Sequence, residues 1–262
     1  MLEAIAVVLV GLGVGSFLNV VIYRTKSGQS IVFGRSKCQK CQTVIAAYDL
    51  VPVVSFFVLK GKCRQCSALL SVQYVLIEFV TAGLFLFIYW RYVIGLALPE
   101  FYLDQFFWVF VLRDFVLVSF LIIIFVYDWL YQLIPDRFTL PVIVISGLVN
   151  LYLGLAWWSI LLGGLVVGGF FLGQFMVSKG KWIGGGDIRM GLLIGVILGL
   201  SEGLLALFLA YALGAIISLI LIITKKAKWQ SMIPFGTFLT LSTILMLILG
   251  PLLSNWYFGL FL

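Results

Sequence analysis

Histidine is absent from all 262 residues, and only 10% of the chain is charged. Without histidine there is no H-E-x-x-H zinc protease and no Ser–His or Cys–His nucleophile pair. Hydrophobic residues make up 63% of the sequence, against the roughly 45–50% apolar usage of soluble domains, which excludes an ordinary water-soluble fold. Low-complexity segments and a convincing internal repeat are also missing, and no cysteine lies outside one basic loop.

Apolar stretches long enough to cross a hydrocarbon core of about 30 Å recur along the whole chain. Dividing the chain at charges, Pro and Gly clusters predicts an all-α, polytopic transmembrane helix bundle of about eight spans: 2–22, 72–90, 115–134, 138–156, 159–178, 184–200, 203–223 and 233–250. The first stretch has no basic residue before it and is followed by Arg24 and Lys26, the reverse of a secretory signal, so it reads as a span. The expected organisation is a first span over 1–22, a cytoplasmic four-cysteine loop over 23–71 and a multi-span membrane domain over 72–262. Residues 101–113 read either as an aromatic helix lying along the interface or as the beginning of the third span.

Most of the 17 basic residues fall in alternate connections: 23–71, Arg137, Lys179 with Lys181, and Lys225, Lys226 and Lys228. That asymmetry makes those loops cytoplasmic and puts both termini outside. The net charge of +7 is then a topological signal, and nucleic acid is not expected as a partner.

The cysteines form two C-x2-C knuckles, Cys38-Gln-Lys-Cys41 and Cys63-Arg-Gln-Cys66, separated by 21 residues. Two such turns aim four thiolates at one tetrahedral ion, which predicts a structural, zinc-ribbon-like site. Lys37, Lys40, Lys62 and Arg64 favour the thiolates. Two disulfides are the alternative, disfavoured by a reducing cytoplasm.

With these side chains, peptide hydrolysis inside lipid is left to a pair of carboxylates sharing one proton. Asp128 stands two turns before Pro135, and Asp187 follows Gly184, Gly185 and Gly186. An acid in an apolar span costs at least about 2.5–3.5 kcal/mol, so each invites a functional reading. Taken singly, Asp128 also reads as a snorkelling interfacial acid and Asp187 as a helix N-terminal acid. The three glycines remove side chains ahead of Asp187, so that a helix or an extended substrate can approach. Glu78 reads as interfacial with no chemical step, and Asp136 as helix-start chemistry.

Taken together these runs resemble the bacterial type IV prepilin leader peptidase family, aspartyl proteases named for a GxGD motif. The resemblance rests on Gly15-Ser-Phe-Leu-Asn-Val-Val-Ile-Tyr-Arg24, the paired-cysteine loop with Tyr48-Asp49-Leu-Val-Pro52, Asp128 ahead of Pro135, Gly184-Gly-Gly186-Asp187, and Ile233-Pro-Phe-Gly236. It implies catalytic roles for Asp128 and Asp187, with Gly184 and Gly186 as the motif glycines. It implies an endopeptidase of the bacterial cytoplasmic (inner) membrane, cutting the short basic leader of prepilin or pseudopilin precursors after glycine near the cytoplasmic face. Pilus, secretion and DNA-uptake systems all use such precursors, and many members also methylate the new N-terminus with S-adenosylmethionine. The chain departs from the pattern at Lys181-Trp-Ile183, at Arg189 and at Leu130, where many members carry another acid. Two rival readings stand beside it: a transporter or channel using Asp128 and Asp187 as ion or proton sites, and a scaffold that binds a partner through its zinc loop.

Overall fold

The computed structural model describes residues 2–226, 228 and 233–259. Met1 and 260–262, at the outer edges of the expected first span and membrane domain, lie outside the described residues. The chain divides into two compact units, Met1–Val93 and Ile94–Leu262.

The first unit pairs two long helices, α1 (Leu2–Ser27) and α3 (Val72–Val93), and carries the short α2 (Val54–Val58) in the segment between them. Glycine lets the long helices touch: a Cβ at Gly11 would lie 2.6 Å from Ala82 Cα, and one at Gly15 2.7 Å from Glu78 Cα. Small residues that admit a close backbone approach are how helices associate where no hydrophobic drive separates protein from lipid. Arg24, expected only as a topological marker, is buried, and its guanidinium donates to the carbonyls of Ser30, Ile31, Phe33 and Gly34, folding the chain back at the end of α1. Glu78 is buried within protein. Its Oε2 accepts the Val53 N–H at 2.7 Å, which fastens the loop to α3 in the space that Gly15 leaves.

The second unit is helical throughout its described residues: α4 (Phe107–Tyr131), α5 (Asp136–Tyr152), α6 (Trp157–Ser178), α7 (Gly185–Ile223) and α8 (Phe235–Gly259). Residues 101–113 open the third span, with a single turn at Asp104–Phe106 leading directly into α4. That span begins earlier than expected because Arg113 and Asp114, which read as a boundary, neutralise each other inside it. Their ion pair is 2.8 Å long, with side chains 5% and 0% exposed.

The 39 residues of α7 are not one rod. Gly199 adopts φ 77° and ψ −170°, a conformation reserved for glycine, and the chain reverses there. In a straight helix Gly195 and Gly203 would be about 12 Å apart at 1.5 Å per residue, yet a Cβ on Gly203 would lie 3.4 Å from Gly195 Cα. The reversal exposes helix-end polar groups in the middle of the unit, and neighbouring helices satisfy them. Asn150 of α5 donates to the carbonyls of Val196 and Ile197, both at 2.9 Å, and Ser159 Oγ of α6 accepts the Leu200 N–H at 3.2 Å. Arg113 in turn donates to Asn150 Oδ1 at 3.1 Å, so the buried ion pair supports the same turn. Helix α6 packs into the hairpin through glycine, a Cβ at Gly163 falling 2.6 Å from Gly195 O.

Six helices are long and apolar enough to cross a membrane. These are counted among the described residues; the reversal divides α7 into two helices, the shorter α5 lies beside them, and the chain is a multi-pass membrane protein.

Candidate active site and metal centre

In the second unit, the end of α4 meets the starts of α5, α7 and α8. Helix α4 stops where Gln132 takes a φ of 53° and its N–H returns to Asp128 O at 2.8 Å. Asp128 is therefore in the last turn of α4. It is 5% exposed, and its Oδ2 is buried without a hydrogen-bond partner. Such an orphaned oxygen is rare and calls for an explanation. It faces the first turn of α8: a Cβ on Gly236 would lie 2.8 Å from Oδ2, and the backbone N–H groups of Gly236 and Thr237 lie by the carboxyl.

Asp187 is half-buried in the first turn of α7. Its Oδ2 accepts the Gly184 N–H at 3.1 Å, the reach-back half of a capping box, which leaves Oδ1 outside the cap. The Asp187 carboxyl is close enough to act electrostatically on Asp128, so the structure brings together two acids that stand 59 positions apart in the sequence. Ile134, in the α4–α5 linker, is the packing centre between them. A Cβ on Gly186 would approach its Cβ to 3.0 Å, and one on Gly236 its Cδ1 to 2.9 Å. Gly186 thus has a steric reason, whereas a side chain at Gly184 or Gly185 meets nothing closer than 3.9 Å. Asp136, at the start of α5, forms an ion pair with Arg189 of α7 and ties these helices together on the same end of the unit.

Above the dyad, Tyr211 belongs to the second half of α7 and joins an aromatic cluster with Phe171 and Phe235. Its phenol pairs with Gln174 of α6. Sequence reasoning missed both residues, because only the chain reversal at Gly199 carries Tyr211 back to the level of Asp187.

In the first unit, the sulfurs of Cys38, Cys41, Cys63 and Cys66 lie within 4.8 Å of one another, and the thiols are free of disulfides. The knuckles are equivalent: Cys38 N–H reaches Thr43 O at 3.0 Å and Cys63 N–H reaches Ala68 O at 2.8 Å, and the bridges Lys37↔Val44 and Lys62↔Leu69 flank them. Gln42 and Ser67, each following the second cysteine, share a left-handed φ, 58° and 54°. A tetrahedral zinc with bonds of about 2.3 Å holds its sulfurs about 3.8 Å apart, and Cys38 Sγ and Cys66 Sγ are 3.8 Å apart. The donor set therefore fits zinc. The Cys41 thiol is drawn down to about 6 by the Thr43 hydroxyl and amide. The Cys63 thiol is lowered by the Cys66 and Gln65 amides. Cys66, despite the opposing Ala68 amide, is pushed up to about 11 by burial and its sulfur neighbours. Arg64, expected to favour the thiolates, instead forms a two-pronged ion pair with Asp49, at 2.7 and 2.9 Å, and holds the Asp49 carboxyl below the usual carboxylate range.

The bacterial peptidase A24 N-terminal domain model matches residues 9–92, and the type IV leader peptidase family model matches 115–219. A prepilin leader peptidase/N-methyltransferase of Bacillus subtilis (strain 168) is 30% identical over 250 residues, covering 94% of each chain. Proteins of the same name from Neisseria gonorrhoeae (30% identical, 88% of this chain and 85% of that one) and Legionella pneumophila (27%, 96% and 93%) are also similar. No solved structure matches this chain.

Proposed function

This chain belongs to the type IV leader peptidase family, and we propose from that membership that it cleaves the leader of prepilin or pseudopilin precursors, with Asp128 and Asp187 as its catalytic pair. The observation that carries the reading is the buried, partnerless Oδ2 of Asp128 within electrostatic reach of Asp187. In the proposed mechanism the two carboxyls share a proton, because like charges brought together on one water do not both ionise. In the proposed reaction the ionised carboxyl takes a proton from water as its oxygen bonds to the scissile carbonyl carbon. The protonated carboxyl gives its proton to the carbonyl oxygen. The carbon–nitrogen bond of the resulting gem-diol then breaks, the amine leaving with the proton taken from water while one hydroxyl of the diol returns its proton to the other carboxylate, which restores the singly protonated pair. Nothing in the family match favours the transporter or scaffold readings.

The charge asymmetry supports an inner-membrane enzyme with both termini outside and the dyad near the cytoplasmic face. Cys38, Cys41, Cys63 and Cys66 would hold one zinc, which closes the loop between α1 and α3 and takes no part in hydrolysis. N-methylation is in the relatives' name. The recess of about 320 Å³ between Val8, Leu12, Phe79, Leu86, Pro52 and Val53 is apolar and offers nothing to a ribose or an amino-acid headgroup. The test is mass spectrometry of a precursor incubated with the purified enzyme. Release of an intact basic leader ending in glycine is the expected product; cleavage elsewhere, or none, contradicts the assignment.

A further inference from the structure

Gln174 and Tyr211 form a polar pair between α6 and the second half of α7. Gln174 is half-buried near the cytoplasmic end of α6, and Tyr211 is 38% exposed on the returning half of α7. Gln174 Nε2 donates to the Tyr211 hydroxyl at 3.0 Å, and that hydroxyl lies 3.3 Å from Gln174 Oε1. The pair stands over the dyad. Phe171 stacks on Tyr211 with centroids 6.5 Å apart and fills the space over Gly191, one turn from Asp187. Phe235, 4.9 Å from the Tyr211 ring, precedes the Gly236 that faces Asp128.

A primary amide has two N–H donors and two acceptor lone pairs, and the bond to Tyr211 leaves one of each. An extended peptide at membrane depth must have its backbone N–H and C=O groups satisfied by protein, since lipid offers no partner. One peptide unit presents one donor and one acceptor, which is what the Gln174 amide has left. We propose that Gln174, braced by Tyr211, is a positioning residue that hydrogen-bonds the extended backbone of the substrate beside the scissile bond. This inference rests on the Asp128–Asp187 reading, because it places the scissile bond beside that pair.

The test uses the full-length enzyme in nanodiscs and synthetic precursors in which each backbone amide near the cleavage site is replaced in turn by an ester, which deletes one N–H. Gln174→Leu should lower kcat/KM by about tenfold or more, the worth of one hydrogen bond of about 1.4 kcal/mol, chiefly through KM. Gln174→Glu, which keeps an acceptor, should recover part of the loss, and Tyr211→Phe should show a smaller one. At one ester position the wild-type enzyme should lose about as much again, and that loss should vanish in Gln174→Leu. A packing defect would lower activity equally on every substrate, so additive losses at all positions, or an unchanged kcat/KM, overturn the proposal. Asp128→Asn and Asp187→Asn, assayed alongside, report on the dyad separately: cleavage by either would overturn that reading without touching the coupling between Gln174 and the ester.

Discussion

An acid inside an apolar helix persists only when something offsets its cost, and the two acids here are handled differently. Asp187 commits one oxygen to capping its own helix. Asp128 keeps an oxygen with no partner, which suits a group that must bind water. If the two share one proton, the pH profile of kcat/KM is a single bell, whereas a profile flat through its acid limb would contradict sharing. The cysteines make a second residue-scale test. Thiolates react with alkylating agents and thiols do not. Zinc-bound sulfurs should resist labelling, and removal of the metal should make all four cysteines reactive together. Mass-spectrometric time courses read the difference, and equal labelling with and without metal would contradict a four-thiolate site.

At the scale of elements, the reversal in α7 sets the site, because it returns Tyr211 to the level of Asp187. The turn hangs on Asn150 and Ser159, and Asn150 on the Arg113–Asp114 pair. Removing one member of a buried ion pair costs about 3–5 kcal/mol because the other is left uncompensated, while replacing both costs far less. Arg113→Met should therefore lower the thermal midpoint in detergent by much more than Arg113→Met with Asp114→Asn. Equal shifts would mean that the pair carries no such role. The spans and both acids were legible from hydropathy and spacing, since lipid leaves few alternatives for an apolar run. The α4 start was not, because Arg113 and Asp114 look like a boundary until their mutual burial is seen. The packing roles of Glu78 and Arg24 were not legible either: their partners are the backbone groups of Val53 and of residues 30–34, which no side-chain pattern announces. The two knuckles were legible in their repeated Lys-Cys-x-x-Cys, but the left-handed residue that closes each was not, because Gln42 and Ser67 have unlike side chains.

At the scale of the whole molecule, the two units are held together internally by different means. The loop of the first unit has few buried apolar residues of its own, so its order is expected to depend on metal, whose binding energy is folding energy. A strong chelator should release one zinc per chain and open residues 23–71 to proteolysis while the far-UV signal of the membrane helices stays close to native. Retained protection of the loop after complete metal loss would contradict a structural zinc. In the second unit, glycine packing and buried hydrogen bonds hold the helices that carry the acids. The central claim is that these two acids act as one catalytic unit, and co-expression with a candidate prepilin tests it most directly. Precursor processing is compared on a gel for wild type, Asp128→Asn and Asp187→Asn, with each variant shown to accumulate in the membrane. Both single changes are expected to abolish processing; normal cleavage by either accumulated variant would contradict the shared-proton pair.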